Sequence, residues 1–276
     1  MKKVVLITGA TSGMGLQTAL LLAQKGYIVY AGARKVSQDL EEIIEKHKVT
    51  INIIHVDVTQ TQSIEAAVNT IMQNEKRIDV LVNNAGFGLL STLEDGTDEE
   101  MYQQFDVNVF GLIKMTRAVL PHMRKAKKGV IINISSFLGK MGLPLLSHYN
   151  ASKHAVEGIT DSLRFEVASY NIRVHSVLAG LFKTNFVNKG LKVNDQTTSL
   201  DSAYQELVSH FATIVANAIN EGPSPVAIAQ AVLKIIEDEQ SDIAVQVGAE
   251  SEIFVPLKKQ LDDKAFEQKV KETFNI

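Results

Sequence analysis

Val4-Val5-Leu6-Ile7-Thr8-Gly9-Ala10-Thr11-Ser12-Gly13-Met14-Gly15 is the stretch from which the fold can be read. Its first four residues are wholly apolar, as in a strand covered on both faces. Residues 16–25 then have helical patterning, closed by Gly26 as a C-cap. A glycine-rich turn between strand and helix lets the backbone approach a pyrophosphate at the helix N-terminus. The spacing is Gly-x-x-x-Gly-x-Gly, not the Gly-x-Gly-x-x-Gly of the common dinucleotide fingerprint. A loop of purely structural use is the competing reading, and the flanking strand and helix count against it.

Working outward, residues 27–33 read as a second strand. In dinucleotide folds the end of this strand meets the adenosine ribose, through an acid for NAD or an Arg for NADP. Here Ala33-Arg34-Lys35 offers two adjacent cations and no acid. They suit a phosphate, which points to NADP(H); two solvated loop charges are the alternative. Further strands fall at 51–56, ended by Asp57-Val58-Thr59, and at 79–82, ended by Asn83-Asn84-Ala85-Gly86. Others fall at 129–134, ended by Ser135-Ser136, at 172–178 and at 243–247. Helical stretches lie between them, at 38–48, from Thr59 or Thr61 to about 74, at 98–123, 151–170 and 226–238. This alternation predicts right-handed βαβ units. The expected class is α/β, a doubly wound Rossmann-type parallel sheet of about seven strands.

Composition narrows the function classes. The chain has 276 residues, 45% hydrophobic and 21% charged, enough for one globular domain with a substantial core. A net charge of −3 without a basic stripe argues against a nucleic-acid partner. There is no Cys, which excludes disulfides and thiolate catalysis. The seven His show no metal spacing, so no metal is expected. The apolar run after Met1-Lys2-Lys3 is too short for a signal peptide, and no run reaches a membrane span. The expected location is cytoplasmic.

Tyr149-Asn150-Ala151-Ser152-Lys153 carries the chemistry. Residues four apart on a helix share a face, so an ammonium should lie near the Tyr149 phenol. A fixed positive charge there is expected to lower the phenol's pKa and fit it for proton transfer with a carbonyl or alcohol. Tyr and Lys at this spacing are also common on solvated faces. His148 is expected to be structural, with a substrate contact as the alternative.

Residues 181–222 form a long, mostly irregular connection, of the kind that serves as a lid. They hold an amphipathic piece near 203–217 and apolar residues at Phe182, Phe186, Leu191, Tyr204, Leu207, Val208 and Phe211. That face either covers a substrate or packs permanently on the body.

Thr8 to Gly15, Asp57-Val58, Asn83 to Gly86, Asn108, Ser136 and Tyr149 to Lys153 together resemble the short-chain dehydrogenase/reductase family in order and spacing. The resemblance covers nearly the whole chain. The tail, with Val247-Gly248-Ala249 and a closing helix at Phe266, is similar to the subgroup near 17β-hydroxysteroid and retinol dehydrogenases. The resemblance implies a single oxidoreductase domain over 1–276, with a lid at 181–222 and a C-terminal extension at 250–276. Asn108, Ser136, Tyr149 and Lys153 are the implied catalytic set: Tyr149 as acid/base, Lys153 tuning it and holding the nicotinamide ribose, Ser136 holding the substrate oxygen, Asn108 fixing a relay water. Gly9, Thr11, Ser12, Gly13, Met14 and Gly15 would line the pyrophosphate, and Asp57, Val58, Asn84, Ala85 and Gly86 the adenosine side. Thr184 would hold the carboxamide. The family's usual Pro-Gly after the sixth strand is Ala179-Gly180 here, which is expected to loosen the lid hinge. The implied reaction is hydride transfer between NADP(H) and a small-molecule carbonyl or alcohol, reduction of a bulky steroid- or retinoid-like ketone or aldehyde being favoured. A 3-oxoacyl carrier-protein reductase, which needs basic residues at the rim, is the alternative, and a non-catalytic NADP-sensing protein ranks behind both. Paired helices carrying Asn108 and Tyr149 imply a homodimer or homotetramer.

Overall fold

The computed structural model describes residues 2–35, 38–184 and 190–276. The first half runs β1 (Val4–Thr8), α1 (Gly13–Gln24), β2 (Ile28–Ala33), α2 (Gln38–Lys46), β3 (Asn52–His55), α3 (Thr61–Glu75) and β4 (Val80–Asn83). It continues through β5 (Gly88–Leu90), α4 (Asp98–Phe105), a π-helical turn (Asp106–Gly111), α5 (Leu112–Ala126), β6 (Gly129–Ser136), α6 (Ser147–Val167) and β7 (Ile172–Ala179). The remainder is β8 (Leu191–Val193), α7 (Asp195–Thr198), α8 (Gln205–Glu221), α9 (Val226–Glu237), β9 (Ala244–Val247), α10 (Ala249–Gln260) and α11 (Asp263–Phe274).

The main sheet has the order β3-β2-β1-β4-β6-β7-β9, with every pairing parallel. All seven strands expected from the apolar runs are present. Neighbouring residues of a strand point to opposite faces, and each face has its own core. Ile7, Val82, Ile132 and Val177 pack under α1 and α9 through Leu22, Ile228 and Val232. Leu6, Leu81, Ile131 and Val174 pack under α3, α5 and α6 through Val68, Met115 and Leu163. Strand order reverses between β1 and β4, and the ends of those strands open the crevice where doubly wound sheets take ligands.

Several features differ from the expectations. The helix expected at 98–123 is interrupted by the π-helical turn around Asn108. The Tyr149 helix begins at Ser147, so Tyr149 lies inside its first turn. The three-residue strands β5 and β8 pair in parallel as a second small sheet. Residues 249–260, with Pro256 inside, are helical because Phe254 is buried against Phe266 and Phe274; tertiary packing overrides local propensity there.

Candidate active site

The glycine turn is positioned by main-chain bonds. Thr8 Oγ1 accepts from the amides of Asn84 and Ala85, each at 3.0 Å. Asn84 Nδ2 returns bonds to the carbonyls of Thr8 (2.9 Å) and Gly9 (3.0 Å). The end of β1 is thus locked to the end of β4. Gly9 has φ +64°. A Cβ on Gly15 would lie 2.4 Å from Asn84 Nδ2 and 2.6 Å from the Gly9 carbonyl. Both glycines are therefore demanded by geometry. α1 begins at Gly13, and the Ser12 side chain makes no cap bond to it. Its first amides are available to an anion. Thr11 is half-buried and Ser12 exposed, while Met14 packs into the core beneath α1. Thr184 stands over the turn, its Cβ 3.6 Å from where a Gly13 Cβ would be.

At the end of β2, Arg34 and Lys35 are both exposed. Beside them, burial alone would raise the Asp57 carboxyl, but the Thr59 hydroxyl and amide and the Arg34 charge together hold it below its usual range. Val58 is buried beneath α3 and α5, with its side chain turned into the core. An unsatisfied helix start and a cradle with no room for a side chain at Gly9 or Gly15 fit the pyrophosphate of a dinucleotide.

Across the crevice the structure brings together Ser136, Tyr149, Lys153 and Asn108. The Ser136 hydroxyl is hydrogen-bonded to the Tyr149 phenol. Ser136 Oγ also donates to the Ala179 carbonyl (3.3 Å) and accepts from the Leu138 amide (3.2 Å). Lys153 Nζ lies 5.6 Å from the Tyr149 ring centroid and donates to the Ile134 carbonyl at 2.9 Å. Asn108 is buried; its Oδ1 accepts from the Phe87 amide (3.0 Å), and its Nδ2 donates to the Phe87 carbonyl (2.9 Å) and Ser152 Oγ (3.1 Å). Gly86 sits between them: a Cβ there would lie 3.1 Å from Asn108 Oδ1 and 3.9 Å from Lys153 Nζ.

The electrostatics correct one expectation. Burial pushes the Tyr149 phenol up from 10.0 to about 12, and the Ser136 hydrogen bond only partly opposes it. Burial also pulls Lys153 down to about 8, against the pull of the Glu157 carboxylate one turn away. The phenol thus lies above its ordinary value and not below it, because desolvation outweighs the hydrogen bond that favours the phenolate. Tyr149 as a residue is half-buried. His148 takes the structural option: it is buried, its Nδ1 is 3.2 Å from Ser91 Oγ, and burial lowers its pKa.

Of the expected lid residues, Phe186 lies outside the described residues. Phe211 is 1% exposed with its ring 6.2 Å from that of Phe274, so it packs on the body. The hinge after β7 has its own anchor, which the sequence did not suggest: the Glu250 carboxylate of α10 accepts from the Leu181 amide at 2.9 Å. A cavity of about 450 Å³ lies beside the start of α6, lined by Thr92, Leu93, Glu94, Leu145, Ser147, Tyr204 and Leu207. A larger opening of about 800 Å³ between α8 and the C-terminus holds none of the catalytic set. Among the described residues no His, Asp and Glu cluster could hold a metal ion, and no helix is long and apolar enough to cross a membrane.

A reversed parallel sheet with a buried Tyr–Lys pair beside its switch point defines a Rossmann-type oxidoreductase. A family model described as short chain dehydrogenase matches residues 3–194, and the chain belongs to that family. It is 38% identical over 247 residues to a 3-ketodihydrosphingosine reductase of Bacteroides thetaiotaomicron, covering 89% of this chain and 88% of that protein. Among solved structures it is similar to a short-chain dehydrogenase from Streptomyces avermitilis, with TM-score 0.84 and 30% identity over 100% of this chain and 97% of that one. It is also similar to a variant actinorhodin polyketide ketoreductase solved with NADPH, with TM-score 0.78 and 28% identity over 91% and 98%.

Proposed function

We propose that this protein is an NADPH-dependent reductase of a bulky, apolar ketone or aldehyde, steroid- or retinoid-like or of comparable size. The observation that carries the reading is the Ser136–Tyr149–Lys153 constellation, with the Ser136 hydroxyl hydrogen-bonded to the Tyr149 phenol and Lys153 Nζ 5.6 Å from its ring centroid. Reduction of a carbonyl needs a proton donor at its oxygen, and the protonated phenol beside the Ser136 hydroxyl is placed to serve as one. The bound cofactor supplies the hydride. Ser136 and Tyr149 hydrogen-bond the carbonyl oxygen, and Tyr149 gives it a proton as the alkoxide develops. Lys153, at a pKa of about 8, is the stronger acid and returns a proton to the phenolate. The Asn108 side chain is committed to Phe87 and Ser152, so its part in the relay falls to the main chain of the π-helical turn. Gly9 to Gly15 and Thr184 hold the pyrophosphate and nicotinamide side. Asp57, Val58 and Asn84 to Gly86 hold the adenosine side, and Arg34 and Lys35 the 2′-phosphate.

The 3-oxoacyl carrier-protein alternative needs a basic rim for an acidic partner. Tyr149 packs against an apolar cluster that includes Leu143, Leu146 and Val208, which favours a free apolar substrate. The name of the Bacteroides relative, that of a 3-keto reductase, points the same way. Loss of NADPH absorbance with a panel of large and small ketones tests the substrate class. Tyr149→Phe tests the site: turnover should nearly vanish, with melting temperature and NADPH affinity little changed. Turnover within tenfold of the parent would remove Tyr149 from the role. Phe110 and Phe165 stay 49% and 78% exposed beside α5 and on α6, which supports a homodimer or homotetramer through those helices; a monomer by light scattering at micromolar concentration would end that reading.

A further inference from the structure

Gln104, on the last turn of α4, had no role in the sequence reading. It is 0% exposed. Its Nε2 donates to the Phe87 carbonyl at 2.7 Å, and its Oε1 accepts from the Leu89 amide at 2.8 Å. Those two main-chain groups flank Gly88, and they are the pair that one residue of a neighbouring parallel strand would take. β8 pairs with β5 in the register Gly88 with Leu191, Leu89 with Lys192 and Leu90 with Val193, and the Asn194 amide extends it to the Leu90 carbonyl at 3.0 Å. The amide of Gln104 therefore fills the Phe87–Leu89 part of the edge that β8 leaves vacant, and the Leu145 carbonyl takes the Ser91 amide further along it at 2.9 Å. Two three-residue strands alone are marginal in water, so a third hydrogen-bonding partner matters.

β5 joins two working parts. Upstream, the Phe87 carbonyl that accepts from Gln104 also accepts from Asn108 Nδ2. Downstream, β8 is the base of the expected lid. It leads into Asn194, whose Nδ2 donates to the Glu100 carboxylate at 2.8 Å, and to Thr197, whose hydroxyl donates to Asp95 at 3.0 Å. We propose that Gln104 is a positioning residue: its side-chain amide acts as a surrogate third strand on β5 and holds the Asn108 turn and the lid base in one register. This rests on the reading of Asn108 and of residues 181–222 given above. The plain alternative is an ordinary satisfied core amide.

The test uses the full chain and two variants. Gln104→Met removes both bonds at nearly constant volume. Gln104→Glu keeps the acceptor, and in its protonated form it also keeps a donor for Phe87. Hydrogen exchange is followed by mass spectrometry over residues 190–198 and, as a control, over β7. Gln104→Met should speed exchange at 190–198 by about tenfold, the cost of leaving buried main-chain groups unpaired, and leave β7 unchanged. It should raise KM for a large ketone more than for a small one, lower kcat for both, and leave NADPH affinity within about twofold. Burial raises the carboxyl pKa of Gln104→Glu. That variant should therefore approach the parent at acid pH and fall toward Gln104→Met as the pH rises, whereas the parent shows no such added limb. Unchanged exchange at 190–198 would overturn the proposal. So would a uniform loss of exchange protection, NADPH binding and activity. If the parent reduces no ketone, the functional reading fails, and the exchange data still decide the role of Gln104.

Discussion

On the cofactor side of the crevice, position is set by directed hydrogen bonds: the Thr8 hydroxyl and the Asn84 side-chain amide tie β1 to β4 through four bonds to main-chain groups, and glycines keep side chains out. On the substrate side, position is set by side chains. α8, α10 and α11 meet through Phe211, Phe254, Phe266 and Phe274, with Phe254 and Phe274 stacked at 5.5 Å between centroids. In the first region an atom added at Gly9 or Gly15 collides with Ala85 or Asn84. The second depends on buried area, so it tolerates shape changes but loses stability with each deleted group. The Tyr149–Lys153 pair lies at the seam between them, where packed protein surrounds groups that must exchange protons.

The contrast can be broken first on the substrate side. Phe211→Ala should cost about 3–5 kcal/mol of stability, the range for a buried Phe leaving a cavity. The melting temperature should fall, and kcat/KM for large and small ketones should fall together, with NADPH affinity unchanged. A normal melting temperature with a rise in KM confined to large ketones would make Phe211 a substrate contact instead.

At the seam the effect should fade as pH rises. In the folded chain Lys153 loses its proton near 8, against 10.5 ordinarily. Below about 8 the folded state carries a charge that burial disfavours, while the unfolded chain holds that proton up to about 10.5. This group's destabilisation is therefore relieved as pH rises from 8 to 10.5. Tyr149 acts the other way only above 10, where the unfolded phenol ionises and the folded one does not. Lys153→Met should be inactive yet more stable than the parent at pH 7, by up to about 3 kcal/mol, and the gain should vanish near pH 10. Melting curves at both pH values measure it, and an equal gap at both would mean that charge burial is not its source.

The smallest effect belongs to the cofactor side. Arg34→Ala removes one charge-assisted contact worth roughly 1.5–3 kcal/mol. NADPH binding should weaken by about one to two decades, with NADH use and melting temperature little altered. Equal losses for both cofactors would place Arg34 outside the phosphate site.

Most of the fold was legible because its signals are local. β1 and β4 hold apolar runs, the turns that follow them carry Gly and Asn patterns, and Tyr149 and Lys153 share a face by helical period alone. Gln104 was not legible, because a mid-helix Gln carries no signal until the chain brings Phe87 and Leu89 beside it. The same holds for Glu250 at the hinge and for the aromatic cluster that makes 249–260 helical. By itself, then, the sequence determined the α/β class, the glycine cradle and the identity of the reactive pair, since periodicity and steric demand act over a few residues. Only the tertiary structure decided that the Tyr149 phenol is pushed above its ordinary pKa, not below it, and that Phe211 belongs to the body. Desolvation and packing depend on how much protein surrounds a group, which no stretch of neighbouring residues can set.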